Sequence, residues 1–251
     1  MRKTLYSIAV SMSFMAVPHI FAENVPASFS EANKFYEQGR YPEAANAYEK
    51  ILQPGLDSEA VLFNLGNAFL KAGKTGRAIV AYRTAEKISP RDPDLRANLQ
   101  FARDQAAGGL SNATLHWTNW TTRLTLDEWT ALAAFSTSGW FLLLALRQWR
   151  PKWNKSFSRM LLLLGAVAGT SGVCLVSAVR TERTPSSVVI APEAVVRRGP
   201  FGESQSAFSL RDGAEVTVLD QNTDWVQIQD GSQRTGWLPQ RQLLPVPNAK
   251  L

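Results

Sequence analysis

Hydrophobic and polar positions follow three different periods along this chain, and each period predicts a different kind of element. From residue 25 to 92 apolar and small residues recur at helical spacing, and the pattern is written twice. Phe35, Gly39, Ala44 and Tyr48 return as Phe69, Gly73, Ala78 and Tyr82, each 34 residues later. Two runs without a charge follow, Trp129 to Leu146 over 18 residues and Met160 to Val179 over 20. Beyond them, from 184 to 246, the pattern shortens to alternation in SSVVIA, AEVTVL, WVQIQ and RTGWLP. Turn residues such as Arg211-Asp212-Gly213 and Gln229-Asp230-Gly231 separate these runs. The chain is therefore expected to be multidomain: an all-α repeat region, two apolar helices and an all-β unit.

Local signals place the helix ends. Ser28 with Glu31 predicts a capping box, Asp92-Pro93 an N-cap followed by N1, and Gly73 a helix stop, while Pro42 fits the first turn of a second helix. The second copy, LFNLGNAFLKAGKTGRAIVAYRTAEKISP, resembles the tetratricopeptide repeat at Leu62, Leu65, Gly66, Phe69, Gly73, Ala78, Tyr82, Ala85 and Pro90. The first copy keeps Ala32 in the glycine slot, Phe35, Gly39, Tyr41, Ala44 and Tyr48. Small residues at the close-packing positions of both copies favour this reading over a generic amphipathic bundle. The units span 25–58 and 59–92, and helix 93–106 is expected to lie as a lid over the open edge of so short a stack.

The charge balance, +6 with a pI near 9.6, changes meaning once it is located. Residues 23–107 hold 11 acids and 11 bases, and residues 184–251 hold 7 and 6. The excess sits at Arg2 and Lys3 and at Arg147, Arg150, Lys152, Lys155 and Arg159, in the loop 147–159 between the apolar runs. That distribution points to membrane topology rather than nucleic acid. The runs 129–146 and 160–179 are each long enough, at about 1.5 Å per residue, to cross hydrocarbon, and Trp117, Trp120, Trp129, Trp149 and Trp153 flank them as an interfacial belt would. Residues 1–22 read as a secretory signal peptide. The resulting expectation is a two-pass protein of a bacterial inner membrane with the basic loop in the cytoplasm and both soluble parts outside.

Neither run contains Asp, Glu, Lys, Arg or His, which argues against a transporter or channel. Gly165 and Gly169 form a small-xxx-small face for packing between the two spans, or for a homodimer. The stretch 108–128, with Trp117, Trp120 and Leu124 at helical spacing, reads as an interfacial collar or a plain linker.

The alternating region 184–246 resembles a bacterial SH3 domain, a small barrel of five or six strands, at Val196-Arg197, Gly213, Trp225 and Gly236-Trp237-Leu238. Trp225 and Trp237 are either aromatics of a ligand face or core residues. The resemblance implies cell-wall peptides or proteins as ligands.

Catalytic chemistry has little to draw on. Beyond residue 22 there is one histidine, His116, and Cys174 is the only cysteine, so no nucleophile and base pair, thiolate metal site or cofactor site is expected. Asn33 and Asn67 occupy equivalent places on the first helix of each repeat, with Phe29 and Phe63 one turn earlier. Together with Lys71 they are the candidate groove residues. Their amides either pair with the backbone of an extended ligand or bond within the stack. The order of segments, and FNLGNAFLKAGKTGRAIVAYRTAEKISPRDPDLRANLQFAR in particular, resembles the BatE-type proteins of bacterial aerotolerance operons. That resemblance implies a non-enzymatic assembly component working beside von Willebrand A-type membrane proteins and a MoxR-type ATPase. Peptidoglycan binding through the SH3-like unit is the alternative.

Overall fold

The computed structural model describes residues 25–52, 58–108, 124–149 and 155–247. The expected signal segment, Trp117, Trp120, His116 and the middle of the basic loop lie outside them. Five helices come first: α1 (Val25–Glu37), α2 (Tyr41–Ile51), α3 (Glu59–Lys71), α4 (Thr75–Ile88) and α5 (Pro93–Ala106). The hairpins α1/α2 and α3/α4 turn at Gly39 and Gly73, whose φ of 74° and 73° only glycine adopts without strain. Ala32, Ala44, Tyr48, Leu65, Phe69, Ala78, Tyr82 and Ala85 form one buried core, which Leu95, Leu99 and Ala102 of α5 extend. Glycine at 66 is needed here, since a Cβ would lie 2.4 Å from the Tyr82 ring. Asp92 caps α5 by accepting the Leu95 N–H at 2.8 Å, with Pro93 in the first turn. The capping box at Ser28 does not hold. Helix α1 starts at Val25, so Ser28 is an interior helical residue rather than its cap.

Helices α6 (Leu126–Trp149) and α7 (Lys155–Arg183) pack against each other in opposite directions, Ser136 meeting Ser171 and Trp140 meeting Gly165. The two serine hydroxyls lie 3.2 Å apart and buried, and each also donates to a carbonyl in the preceding turn of its own helix. Only 11% of each apolar window is buried by protein, and Phe135, Leu142, Leu162 and Leu163 point outward. These are helices long and apolar enough to span a bilayer, with the opposite burial to core helices of a soluble domain. Helix α6 begins three residues before the apolar run because Thr125 and Glu128 form a reciprocal cap. The Thr125 N–H donates to Glu128 Oε2 at 2.9 Å, and the Glu128 N–H donates to Thr125 Oγ1 at 3.3 Å.

The C-terminal unit is an antiparallel sheet of seven strands: β1 (Ser186–Val189), β2 (Glu193–Arg197), β3 (Ser206–Arg211), β4 (Glu215–Gln221), β5 (Trp225–Gln229), β6 (Thr235–Pro239) and β7 (Leu243–Pro245). Their order is β3-β2-β6-β5-β4-β1-β7, with register shifts after Val196 and Val218 that bend the sheet around its core. The core is Val189, Ala194, Val196, Leu210, Val216, Val226, Ile228 and Leu238. Sequence led to five or six strands. Strand β7 was missed because three residues beside a proline carry no readable period, and its pairing with β1 (Val189 with Leu243, Ser187 with Pro245) creates it.

Helical and β units join through a built seam. Val188, Leu244 and Val246 of the barrel pack into the helical core. Asp212, in the β3–β4 turn, accepts the Gly76 N–H at 3.0 Å and so caps α4, whose own preceding residue Lys74 supplies no side-chain cap. Glycine stands on both sides of the contact. A Cβ on Gly76 would lie 2.2 Å from the Val189 carbonyl oxygen, and one on Gly213 would lie 2.6 Å from Ala106. Glu215 at the start of β4 is clamped by Arg83 of α4 at 3.0 Å and by Arg103 of α5 at 2.6 Å. The Lys87 ammonium also donates to the Pro247 carbonyl.

Burial alone pushes the Glu215 carboxyl up, but Arg103 and Arg83 outweigh it and hold it below the ordinary range. Asp212 is raised, because burial exceeds the help of the N–H groups of Gly76 and Thr75. The two act with opposite sign. The Glu215 contribution is complete above its unfolded pKa of about 4.3 and is lost as pH falls through the lower folded value. Asp212 holds its proton more tightly when folded, so its ionisation weakens the seam as pH rises through the ordinary carboxylate range.

Three substitutions have expected outcomes in thermal unfolding of the detergent-solubilised chain. Gly66→Ala lowers stability by about 1–3 kcal/mol, because the new methyl meets a fixed ring and this exceeds the helix-propensity gain. Gly169→Ala, with nothing within 4 Å, leaves the midpoint unchanged or higher. Glu215→Gln costs about 1–3 kcal/mol at neutral pH, less than a fully buried pair because 28% of the side chain stays exposed. Its midpoint falls less than that of the parent chain between about pH 5 and pH 3, where the parent loses the Glu215 contribution.

Candidate functional site

The repeats present their first helices on one face, and the same small constellation appears there twice. In repeat one the Tyr48 hydroxyl of α2 donates to Asn33 Oδ1 at 2.5 Å, and the Phe29 and Tyr48 rings lie tilted at 5.9 Å. In repeat two the Tyr82 hydroxyl donates to Asn67 Oδ1 at 2.7 Å, with Phe63 against Tyr82 at 6.2 Å. Asn98 of α5 adds a second donor to Asn67 Oδ1 at 2.9 Å. Both carbonyl oxygens are thus engaged inside the stack. Among the described residues no hydrogen bond engages the two amide nitrogens, and these remain as donors. The tyrosines are fixed in this role, since burial, helped by charge from Tyr36, raises the Tyr48 and Tyr82 hydroxyls and keeps them protonated.

Lys71 is exposed at the end of α3, one turn beyond Asn67. At the next repeat interval, 34 residues after Asn67, stands Phe101, 62% exposed on α5. The face therefore runs from paired amide donors to an unpartnered aromatic, with one cation beside it. Such a surface suits an extended chain offering carbonyl acceptors and an apolar side chain.

The opposite end of the stack has a different character. Positions filled in repeat two by buried Leu62, Leu65 and Val80 hold Ser28, Glu31 and Asn46 in repeat one, and a groove of about 370 Å³ lies there beside Phe35 and Ile51. Polar substitution makes this edge tolerant of water, as a terminal repeat requires.

On the barrel, β5 and β6 bury Val226, Ile228 and Leu238, and alternation sends Trp225 and Trp237 to the other face, half-buried and outside the core. The register pairs Trp225 with Pro239 and Gln227 with Trp237, so the two indoles are diagonal neighbours on one surface. Arg197 of β2 pairs with Trp237 at its side. An aromatic pair flanked by an amide and a guanidinium can stack on a flat ligand and hydrogen-bond its rim.

In the hairpin, Gly165 faces the Trp140 indole, where a Cβ would lie 2.8 Å from Nε1. Gly169 faces outward with nothing within 4 Å, and Cys174 is buried. Gly165 therefore serves the contact within the hairpin, and Gly169 lies on the face turned away from it.

Sequence reasoning missed the seam and the cap of α6. The TLDE motif at 125–128 carries the capping-box signature, and Gly76 stands in the first turn of α4 where repeat one has Pro42. Nothing local marks Arg83, Arg103 and Glu215 as one cluster, because their partners lie 132 and 112 residues apart.

Comparison with known proteins agrees with this architecture. Residues 29–93 match the family model described as tetratricopeptide repeat, and residues 191–245 match the one described as bacterial SH3 domain. Over 57 residues the chain is 39% identical to a protein named uncharacterized protein YgiM in Escherichia coli K12, which is 22% of this chain and 28% of that protein. The same figures hold for its namesakes in Escherichia coli O157:H7 and Shigella flexneri. The chain thus spans little more than a quarter of the length of these relatives. It combines tetratricopeptide repeats, two apolar helices fit to span a membrane and a bacterial SH3-like barrel, a set of parts that supports a role in protein interaction or cell-wall binding.

Proposed function

We propose that this protein is a membrane-anchored, non-enzymatic scaffold whose repeat groove captures an extended segment of a protein partner. The repeated Phe-Asn-Tyr constellation carries the reading. Asn33 and Asn67 are held by Tyr48 and Tyr82 so that their amide nitrogens stay available, and Phe29, Phe63 and Phe101 supply apolar contact beside them. Fixing a donor before the ligand arrives lowers the ordering cost of binding. Lys71 adds attraction for an acidic residue of the ligand.

The seam supports the proposed topology. Repeats and barrel share one core, so they must lie on the same side of any membrane that α6 and α7 cross. In this reading the basic loop 147–159 lies on the other side, and its excess of cations supports taking that side as the cytoplasm. With the apolar N-terminal segment acting as an export signal, the soluble parts face the extracytoplasmic space of a bacterial inner membrane. The domain order, which resembles BatE-type proteins, is the basis for placing the chain in an aerotolerance-related envelope complex with von Willebrand A-type membrane proteins and a MoxR-type ATPase.

A second reading follows from the outward Trp225 and Trp237. An outward aromatic pair edged by Gln227 and Arg197 fits the sugars or peptides of peptidoglycan. It is best tested on the whole chain, because a barrel cut away at residue 184 would expose Val188, Leu244 and Val246.

The double variant Asn33→Ala and Asn67→Ala is expected to reduce recovery of co-purifying partners by about tenfold, near 1.4 kcal/mol, at unchanged expression. Unchanged recovery sinks the groove assignment. Trp225→Ala with Trp237→Ala tests the second reading by co-sedimentation of the solubilised chain with purified wall, which binding through that face requires to fall. Reporters fused to either soluble part should give the same extracytoplasmic signal, and a reporter in the loop 147–159 the opposite one.

A further inference from the structure

We propose that helix α5 is a coupling rod that links the repeat groove to both membrane helices, an inference that rests on the groove reading for what is coupled. One end of the rod is pinned to the start of α6 and the other to strand β4, which leads back to α7 through β1. At its start, next to the capping Asp92, the Arg91 guanidinium reaches both oxygens of Glu128 at 2.5 and 2.6 Å. Glu128 is itself half of the reciprocal cap that opens α6. At its other end Arg103 donates to Glu215 Oε1 at 2.6 Å and Oε2 at 3.2 Å. Glu215 belongs to β4, which pairs with β1, and β1 follows α7 after Thr184 and Pro185 alone. The Pro185 carbonyl is fixed in turn by the Val218 N–H at 2.9 Å.

Between these pins α5 forms one wall of the groove. Asn98 donates to Asn67 Oδ1, and Phe101 is exposed one turn later. Leu95, Leu99 and Ala102 keep the opposite stripe packed on α4. Fourteen residues of helix make a rod about 21 Å long, stiff along its axis. A ligand pressing on Phe101, or displacing Asn98 from Asn67, therefore loads both pins, and movement of α6 against α7 reaches the groove by the same route. The Arg91–Glu128 pair is exposed and a single Arg91 nitrogen serves both carboxylate oxygens, so its importance lies in joining the start of α5 to the cap of α6 rather than in net stability. Helices α1 and α2 pack chiefly on each other and on α3.

Hydrogen exchange on the full chain in detergent micelles tests this without a ligand, comparing the parent with Glu128→Gln and Glu215→Gln. The rod predicts effects at a distance. Glu128→Gln should speed exchange several-fold through Gln105 and into β4, and Glu215→Gln should do so back to residues 93–96 and the first turn of α6. Exchange in α1 and α2 should stay at the parent rate in both, which also reports that the chain is folded. If Glu215→Gln loosens the whole barrel, Arg103→Lys, which keeps the charge but loses the fork, should give the same pattern along α5. Changes confined to the turn that carries each substitution overturn the coupling. Because no partner takes part, that failure would leave the groove reading standing, and unchanged partner recovery in the asparagine variant would leave the rod standing.

Discussion

The carboxylate of Glu215, caught between Arg83 and Arg103, is the interaction on which the arrangement of this molecule depends. A carboxylate taken out of water is costly unless opposite charges compensate it, and here one arginine comes from each of the last two helices of the repeat region. The cluster exists only where repeats and barrel meet, since both arginines lie on the helices and the carboxylate on the sheet. Around it the seam is shaped to close approach, with Gly76 and Gly213 where any side chain would collide and Asp212 capping a helix that offers no cap of its own. Two modules that resemble independent families thus become one body.

That union has consequences for the membrane. The two apolar helices leave one soluble unit and return to it, so the hairpin closes a loop whose ends are fixed by protein contacts. Inside the hairpin the contact is made by small and hydroxylated residues, Gly165 under Trp140 and Ser136 against Ser171, as expected where lipid supplies no hydrophobic drive for helices to associate. The barrel also does for the repeats what a terminal capping unit does in longer arrays. Val188 and Val246 cover the apolar side of α4 that α5 leaves open, while the other edge is made tolerant of water by Ser28, Glu31 and Asn46.

Much of the candidate site was legible in the residues, but not its chemistry. The 34-residue offset placed Asn33 and Asn67 in equivalent positions, yet could not say whether their amides face a ligand or the stack. In the structure each carbonyl is held inside the stack by a tyrosine, and among the described residues no hydrogen bond engages either nitrogen. Trp225 and Trp237 were ambiguous for a similar reason, because alternation shows that two faces exist without saying which one is covered. The burial of Val226, Ile228 and Leu238 decides it. Ser28 misled because a capping signature is only as good as the helix start beside it, and here the helix begins a turn earlier.

What the sequence determined by itself is everything set by period and by local backbone chemistry. That includes the repeat units, the glycine turns at 39 and 73, the Asp92 cap, the two charge-free runs and the alternating strands. These depend on residues within a turn or a strand of one another, where spacing is the physical cause. What only the tertiary structure decided is which surfaces meet: the Arg83–Glu215–Arg103 cluster, the Asp212 cap on α4, the β1–β7 pair, and the union of repeats with barrel. Those contacts join residues more than 50 positions apart, and their energy comes from mutual burial and charge compensation that exist only once the chain has brought them together.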